Sequence, residues 1–128
     1  MSVSVLMRDT TLTGEIMREL RVALESELTT VGGLIAARVR AEVAAHNQRV
    51  AEQGAEAEAP PEPRSALAQW DRRPVDAERE IAAALQAFGR KAYLVLVDRE
   101  QCDDAECEVL IAPEATVSFL KIVPLIGG

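Results

Sequence analysis

The chain has few aromatic residues, little histidine and no excess of basic charge. Only 3% of its 128 residues are Phe, Trp or Tyr, and one is His. So few aromatic side chains provide no stacking platform for single-stranded nucleic acid. The formal net charge of −7, from 21 acidic and 14 basic residues, also disfavours phosphate binding. We therefore expect no nucleic-acid partner, and an acidic chain of this kind favours basic protein surfaces.

The two cysteines and the single histidine do not match a known catalytic or metal-binding pattern. Cys102 and Cys107 lack the spacing of paired zinc ligands, and their acidic neighbours disfavour the reactive thiolate. We interpret them as reduced loop or strand residues, and His46 as a partly exposed helix residue without a catalytic role. The glycines at 32 and 33 lack the other residues of a phosphate-binding loop. The chain is therefore not expected to be an enzyme, nor to bind a metal.

Long apolar runs and a targeting segment are also missing. The longest purely apolar runs, such as residues 92–97, are far shorter than the roughly 20 residues that cross a bilayer. Residues 1–8 lack the basic and apolar regions of a signal peptide. We expect no membrane partner and a cytoplasmic protein. The length predicts one domain over residues 1–128.

Alternation of apolar and polar residues predicts two strands near the N-terminus. The first covers about residues 2–8 and the second about residues 19–25. Between them, residues 9–14 are rich in Asp, Thr and Gly, which favour a turn or hairpin loop. Because this connection is short, the two strands should pair as an antiparallel hairpin.

Apolar residues at helical spacing predict a long helix over about residues 31–52. Thr29 or Thr30 offers an N-cap at its start. The polar residues of this helix are expected to be mostly available to solvent, namely Arg38, Arg40, Glu42 and Arg49.

Residues 53–90 are interpreted as an insertion of a flexible loop and a helix before the third strand. Residues 53–64 combine Gly, Glu and three prolines without an apolar face, which predicts a solvated loop. Leu67 and Trp70 are expected to anchor the returning chain. An apolar stripe then predicts a second helix over residues 75–89.

The last third of the chain predicts three more strands. Residues 92–97 are nearly all apolar and are followed by a turn at 98–101, whereas residues 106–112 form a weaker strand. A terminal strand begins at about residue 117. Strands that share one face with a long helix predict an α+β layer.

The terminal strand leads into a short tail. Pro124 cannot donate to a strand ladder, so pairing should end near Val123. Residues 124–128 then form an extended segment that finishes on Gly127 and Gly128. We interpret this ending as a functional C-terminal carboxylate rather than a frayed terminus.

The element order and this ending resemble the ubiquitin-like β-grasp superfamily, which includes ubiquitin-like modifiers and the small sulfur carriers of molybdopterin and thiamine synthesis. The resemblance covers residues 2–50 and 92–128 and leaves out the insertion. The sulfur carriers typically end in a D-x-V-x-F-x-P-P-x-x-G-G type of pattern. This chain reproduces part of it with Val117, Phe119, Pro124, Gly127 and Gly128. It departs from the pattern at Val123, where the first proline is common, and at Ala115 and Thr116, where an acidic residue is common.

The resemblance implies a β-grasp fold, with a mixed sheet packed on a long helix, and a role as a substrate. An E1-like enzyme would use ATP and Mg²⁺ to adenylate the Gly128 carboxylate, while this chain itself binds no cofactor. Gly127 and the segment Pro124, Leu125 and Ile126 would present that carboxylate, because glycine is slim enough for a narrow channel. Related bacterial operons pair such proteins with E1-like, E2-like and JAB-type peptidase partners, some of them in antiviral defence.

Three hypotheses follow from the resemblance. The leading one is a bacterial ubiquitin-like modifier that is conjugated to a target through Gly128. The alternative is a sulfur carrier that forms a thiocarboxylate at Gly128 for the synthesis of a cofactor. A further alternative is a β-grasp binding module that forms no covalent product.

Overall fold

Residues 3–53 and 73–121 are described by a computed structural model of the chain, and they form an α+β fold. Their elements, in chain order, are β1 (Val3–Thr10), β2 (Ile16–Leu24), β3 (Leu28–Thr30), α1 (Val31–Gln53), α2 (Ala77–Gly89), β4 (Tyr93–Val97), β5 (Glu100–Cys102), β6 (Glu108–Leu110) and β7 (Thr116–Lys121). These ranges contain one mixed five-stranded sheet, one two-stranded sheet and two helices. The predicted α+β class is therefore confirmed.

The five-stranded sheet has the order β2-β1-β7-β4-β5, with one parallel pair at its centre. β1 and β7 are parallel, with Met7 beside Val117, and the other neighbours are antiparallel. Parallel strands require a long crossover connection, and the chain between Thr10 and Thr116 supplies it. As a result, β7 joins an N-terminal hairpin to a second hairpin made of β4 and β5.

The N-terminal hairpin is antiparallel, as predicted, but both of its strands are longer than expected. β1 continues to Thr10, two residues into the predicted loop at 9–14, and β2 already begins at Ile16. Asp9 continues the inward alternation of this strand and is buried. The prediction of Asp9 as a loop residue is therefore wrong, because its charge is neutralised inside the fold rather than in solvent.

Both predicted helices are present. α1 begins where Thr30 Oγ1 accepts a hydrogen bond of 3.0 Å from Gly33 N. α2 begins after Asp76, whose carboxylate accepts a bond of 3.3 Å from Glu78 N. Side-chain oxygens at these positions satisfy N–H groups that the first helical turn leaves unpaired. α2 starts at Ala77, slightly later than predicted.

The region after β4 departs from the prediction of a simple turn at residues 98–101. Asp98 and Arg99 form a two-residue turn with φ values of 51° and 79°, after which β5 pairs back onto β4. Positive φ at both central positions matches the twist of a tight hairpin. The weak strand predicted at 106–112 is β6, and it pairs with the unpredicted β3 in the two-stranded sheet.

Both helices and the inward face of the sheet contribute to the same core. The ring of Phe88 on α2 lies 5.7 Å from that of Tyr93 on β4, and Tyr93 Oη donates a hydrogen bond of 2.7 Å to Ala84 O. The buried apolar residues are Val5, Met7, Val22, Leu24, Val31, Leu34, Ile35, Val39, Val43, Ile81, Ala84, Phe88, Tyr93, Val95, Val97, Ile111, Ala115, Val117 and Phe119.

The expectation that His46 is partly exposed is wrong, because the chain leading into α2 lies against α1. His46 is buried, and its Nε2 lies 2.8 Å from Arg73 O. Beside it, the Asn47 amide exchanges two hydrogen bonds with the backbone of Val75, at 3.0 and 2.9 Å. Helical periodicity alone does not reveal this long-range contact.

Two groups of predictions fall outside the described residues. The first group consists of residues 54–64 of the loop predicted at 53–64, together with the expected anchors Leu67 and Trp70. The second is the whole tail from residue 122 onward.

Candidate functional site

β7 ends at Lys121, at one end of the five-stranded sheet. Lys121 lies opposite Tyr93, while Leu120 lies beside both Thr10 and Leu94. Because β1 and β7 are parallel, the end of β1 and the start of β2 lie at this same end of the sheet. The predicted site residues all follow Lys121 and lie outside the described residues, namely Pro124, Leu125, Ile126, Gly127 and Gly128.

β7 is held firmly because it is paired on both sides and buried through alternate residues. Val117 and Phe119 are buried, as their predicted alternation requires, while Lys121 is exposed. The Phe119 ring has Tyr93 as one neighbour, with 6.1 Å between ring centroids. On another side the guanidinium carbon of Arg38 lies 4.6 Å from the Phe119 centroid, a cation–π distance. The last described strand is thus attached both to the sheet and to α1.

An ion cluster surrounds this contact; Asp9, Arg38 and Glu42 are buried, whereas the side chain of its fourth member, Arg18, is 35% exposed. Arg38 donates to both carboxylate oxygens of Asp9, with 2.7 Å between Nη2 and Oδ2. Its Nε and Nη2 each lie 3.3 Å from a Glu42 oxygen, one helical turn away. Glu42 also accepts a bond of 2.9 Å from Arg18 Nη1 on β2. The cluster therefore ties α1 to β1, β2 and β7.

The charges of the cluster balance, which explains how they are accommodated inside the fold. Burial by itself lowers the pKa of Arg38, but the hydrogen bond and charge of Asp9 and the charge of Glu42 outweigh it, so the pKa is raised. Arg38 stays charged in the fold. A buried ion that keeps its partners avoids most of the cost of an isolated charge.

The expectation that Arg38 and Glu42 face solvent is wrong. Arg38 has 0% exposure and Glu42 is buried. A sequence signal exists in hindsight, because Arg38 follows Leu34 by four residues and precedes Glu42 by four, on the apolar stripe of α1. Opposite charges one turn apart within such a stripe indicate a buried pair, but they do not identify Asp9 as the third member.

Three large apolar side chains are exposed on the N-terminal hairpin, close to the end of β7. Leu12, Ile16 and Met17 are 62, 47 and 66% exposed, and we call them the hairpin patch. Ile16 pairs with Thr10, which in turn lies beside Leu120 of β7. Large apolar side chains left exposed on one element are candidates for a contact surface. The patch therefore adjoins the point from which the chain continues beyond Lys121.

The outward face of the sheet carries a second group of apolar side chains. By strand alternation it lies opposite the core, and its leucines are half-buried, namely Leu6, Leu94, Leu96 and Leu120. Leu94 and Leu120 are directly opposite each other on neighbouring strands. This face is thus apolar near the Lys121 end of the sheet.

A groove of about 540 Å³ lies between the end of β2 and one side of α1. Small residues such as Gly33, Ala37 and Ala41 form much of its wall, and Arg40 and Glu25 are its charged members. These groups do not form a nucleophile with an adjacent base, so the groove offers no evident catalytic chemistry.

Within residues 3–53 and 73–121, no group of three or more His, Cys, Asp and Glu residues is arranged to hold a metal ion. Neither α1 nor α2 is long and apolar enough to cross a membrane.

Comparisons of the chain with protein families, with curated proteins and with solved structures found no match. The sheet end at Lys121, with the hairpin patch beside it, is the candidate site.

Proposed function

We propose that this chain is a ubiquitin-like protein of the β-grasp type, whose Gly128 carboxylate is activated by an E1-like enzyme and joined to a target. The main support for this proposal is the position of β7 in the sheet. It is a central strand, paired with β1 and β4 and anchored through Phe119, and it leads toward the diglycine. The mixed sheet and the long helix α1 support the β-grasp assignment.

The chemistry of activation needs no catalytic group from this chain. The Gly128 carboxylate attacks the α-phosphorus of ATP and displaces pyrophosphate, forming an acyl-adenylate in the E1-like partner. A thiol of that partner then attacks the acyl carbon and releases AMP, and an amine of the target finally displaces the thiol. The partner supplies ATP, Mg²⁺ and the thiol, whereas this chain supplies a slim and extended acyl donor.

The partner also needs a surface that it recognises beside the tail. The hairpin patch adjoins the end of β7, and its apolar side chains would be removed from water by an enzyme bound there. An activating enzyme that holds both the patch and the tail would orient Gly128 toward ATP. The proposed roles of E2-like and JAB-type peptidase partners follow from the resemblance alone.

The decisive test is ATP-dependent adduct formation with a cognate E1-like protein from the host. We expect a thiol-sensitive adduct with the full chain and none with a variant that lacks Gly127 and Gly128. A matched control carries Gly89→Ala, which keeps the diglycine and changes a glycine at the end of α2 that has open space around it. Adduct formation that is independent of Gly128 would contradict the proposal.

The sulfur-carrier alternative is supported by the partial match of Val117, Phe119 and Pro124 to the carriers' ending. Intact-mass spectrometry of protein purified from the host separates the two functions. One sulfur in place of one oxygen at the C-terminus indicates a carrier, whereas covalent ladders indicate conjugation. If biological activity persists without Gly127 and Gly128, the chain is instead a β-grasp module that binds without reacting.

A further inference from the structure

β2 forms one edge of the five-stranded sheet. Among the described residues it pairs with β1 alone, so one row of its backbone N–H and C=O groups points away from the sheet. This free edge is nine residues long and contains no proline, whereas β5 at the opposite edge has only three residues. Short edge strands and prolines are common means by which a sheet avoids pairing with another chain. Of these two edges, β2 is therefore the better suited to receive a further strand.

The side of β2 that faces away from the core carries four exposed side chains. Val22 and Leu24 are buried on the core side, so the alternate residues point outward, namely Met17, Glu19, Arg21 and Ala23. Glu19 Oε2 accepts a hydrogen bond of 2.6 Å from Arg8 Nε on β1. Arg21 has no ion-pair partner within residues 3–53 and 73–121. The outward side of the edge thus reads apolar, acidic, basic, apolar.

This order of side chains is complementary to itself when the strand is reversed. If two β2 strands pair antiparallel about a two-fold axis at Leu20, Glu19 of one copy lies opposite Arg21 of the other. The axis generates the same pair a second time, and Met17 and Ala23 lie opposite each other at both ends. Opposite charges directly across an antiparallel pair stabilise it, whereas like charges destabilise it.

The same charges disfavour the neighbouring registers. An axis at Glu19 would place two glutamates opposite each other, and an axis at Arg21 would place two arginines opposite each other. Intermediate registers would set core-facing side chains of one copy against outward side chains of the other, because side chains alternate along a strand. The charges of β2 therefore favour the register centred on Leu20.

We propose that two copies of this chain associate through the free edges of β2, antiparallel and centred on Leu20, so that their two sheets continue as one. Because the contact is one strand wide, the dimer belongs to the weak class of interfaces, with a Kd between about 1 μM and about 1 mM. β1 separates β7 from this edge, so the end of β7 at Lys121 stays outside the paired strands. The inference does not depend on the proposed conjugation at Gly128.

Sedimentation equilibrium of the full chain tests the association. The measurement spans protein concentrations from about 1 μM to about 1 mM. It uses about 0.15 M salt, which screens the net charge of −7 on each copy. We expect the average mass to rise with concentration from 13.9 kDa toward twice that value. A chain that stays monomeric over the whole range would overturn the proposal.

Charge-swap variants test the register. Glu19→Arg alone and Arg21→Glu alone each place like charges opposite each other in a dimer, so each should raise the Kd by at least about tenfold. An equimolar mixture of the two variants should restore association, because every charge pair between the two kinds of chain is then of opposite sign. A chain that carries both substitutions should dimerise as the unaltered chain does.

Glu108→Arg is the matched control for these variants. It makes the same change of charge at an exposed position of β6, away from the edge of β2, and should leave the Kd unchanged. Because Glu19→Arg also removes the bond to Arg8, thermal unfolding of each variant checks that it is folded. A mixture that associates no better than either variant alone, or equal weakening by Glu108→Arg, would overturn the pairing of β2 strands.

Discussion

Three elements of the fold, β1, α1 and β7, meet at Arg38. Its guanidinium has no contact with solvent, and it bonds Asp9 of β1 and Glu42 of α1 while lying over the ring of Phe119 in β7. A buried charge without partners is far more costly than an exposed one. The free energy of unfolding should therefore be much more sensitive to Arg38 than to the exposed arginines.

Replacing Arg38 by methionine should lower the free energy of unfolding by about 3 to 5 kcal/mol, because it leaves the buried carboxylate of Asp9 without its bidentate partner and removes one of the two arginines that bond Glu42. The matched control is Arg40→Met on the same helix. Arg40 lies 3.4 Å from Glu78, but both side chains are largely exposed, so its loss should cost less than about 1 kcal/mol. Urea denaturation of both variants measures the difference, and similar losses would contradict the importance of the buried cluster.

Tyr93 should make the fold sensitive to alkali. Burial raises the pKa of Tyr93 well above its usual value, although the positive charge of Arg38 opposes the shift. Because the folded state holds this proton more tightly than the unfolded state, the contribution to stability is complete below about pH 10 and is lost as the pH rises further.

The chain has one tyrosine, so tyrosinate absorbance follows Tyr93 alone. We expect Tyr93 to lose its proton at a higher pH than a free tyrosine does, or to lose it only when the chain unfolds. In Tyr93→Phe the alkaline loss of stability due to this group should disappear. The variant should also lose about 1 kcal/mol at neutral pH with the hydrogen bond to Ala84. Titration near pH 10 while the chain is folded would contradict this prediction.

Among the elements, the N-terminal hairpin is the clearest candidate for partner contact. The substitution Met17→Ser removes a largely exposed apolar side chain from the hairpin patch, so stability should change little. Binding to the proposed activating partner should weaken by roughly tenfold, which corresponds to about 1.4 kcal/mol of lost apolar contact.

Leu110→Ser provides the matched control, because Leu110 is 68% exposed on the two-stranded sheet rather than on the hairpin. Calorimetric titration of each variant with the E1-like protein measures both affinities. Equal weakening by the two substitutions, or no effect of Met17→Ser, would remove the hairpin patch from the proposal.

Most elements could be predicted from the sequence because their residues carry local patterns. Alternation identified the N-terminal hairpin, and helical spacing identified α1 and α2. β5 was missed because Asp98 and Arg99 adopt positive φ without the glycine that usually signals such a turn. β3 was missed because its three residues coincide with the predicted helix cap.

The burial of polar side chains could not be predicted from the sequence, for a different reason. Asp9 and Arg38 are 29 positions apart, and His46 meets the backbone of Arg73 across a similar distance in sequence. Patterns within one element cannot specify such contacts, because burial of a charge depends on which strand lies opposite the helix. The functional role of the diglycine was predicted from the apolar strand that precedes the tail and from the resemblance, and it stays a prediction.

At the scale of the whole molecule, we expect folding and the proposed conjugation to be separable. Among the described residues the buried apolar core runs from Val5 to Phe119, and glycine has no side chain to add to a core. Deletion of Gly127 and Gly128 should therefore leave the midpoint of thermal unfolding unchanged while abolishing the ATP-dependent adduct. A lowered midpoint would mean that loss of the adduct reports misfolding instead of loss of the acyl donor.

The central position of β7 also has a consequence for synthesis on the ribosome. The N-terminal hairpin emerges early, but the strand that pairs with the free edge of β1 consists of residues 116–121. At typical rates of translation the hairpin waits on the order of ten seconds for this strand. A nascent chain that stalls before residue 116 holds two unjoined hairpins, each with an open edge that invites aggregation or chaperone binding. A chain interrupted before β7 would therefore lack the one strand that joins the two hairpins into a single sheet.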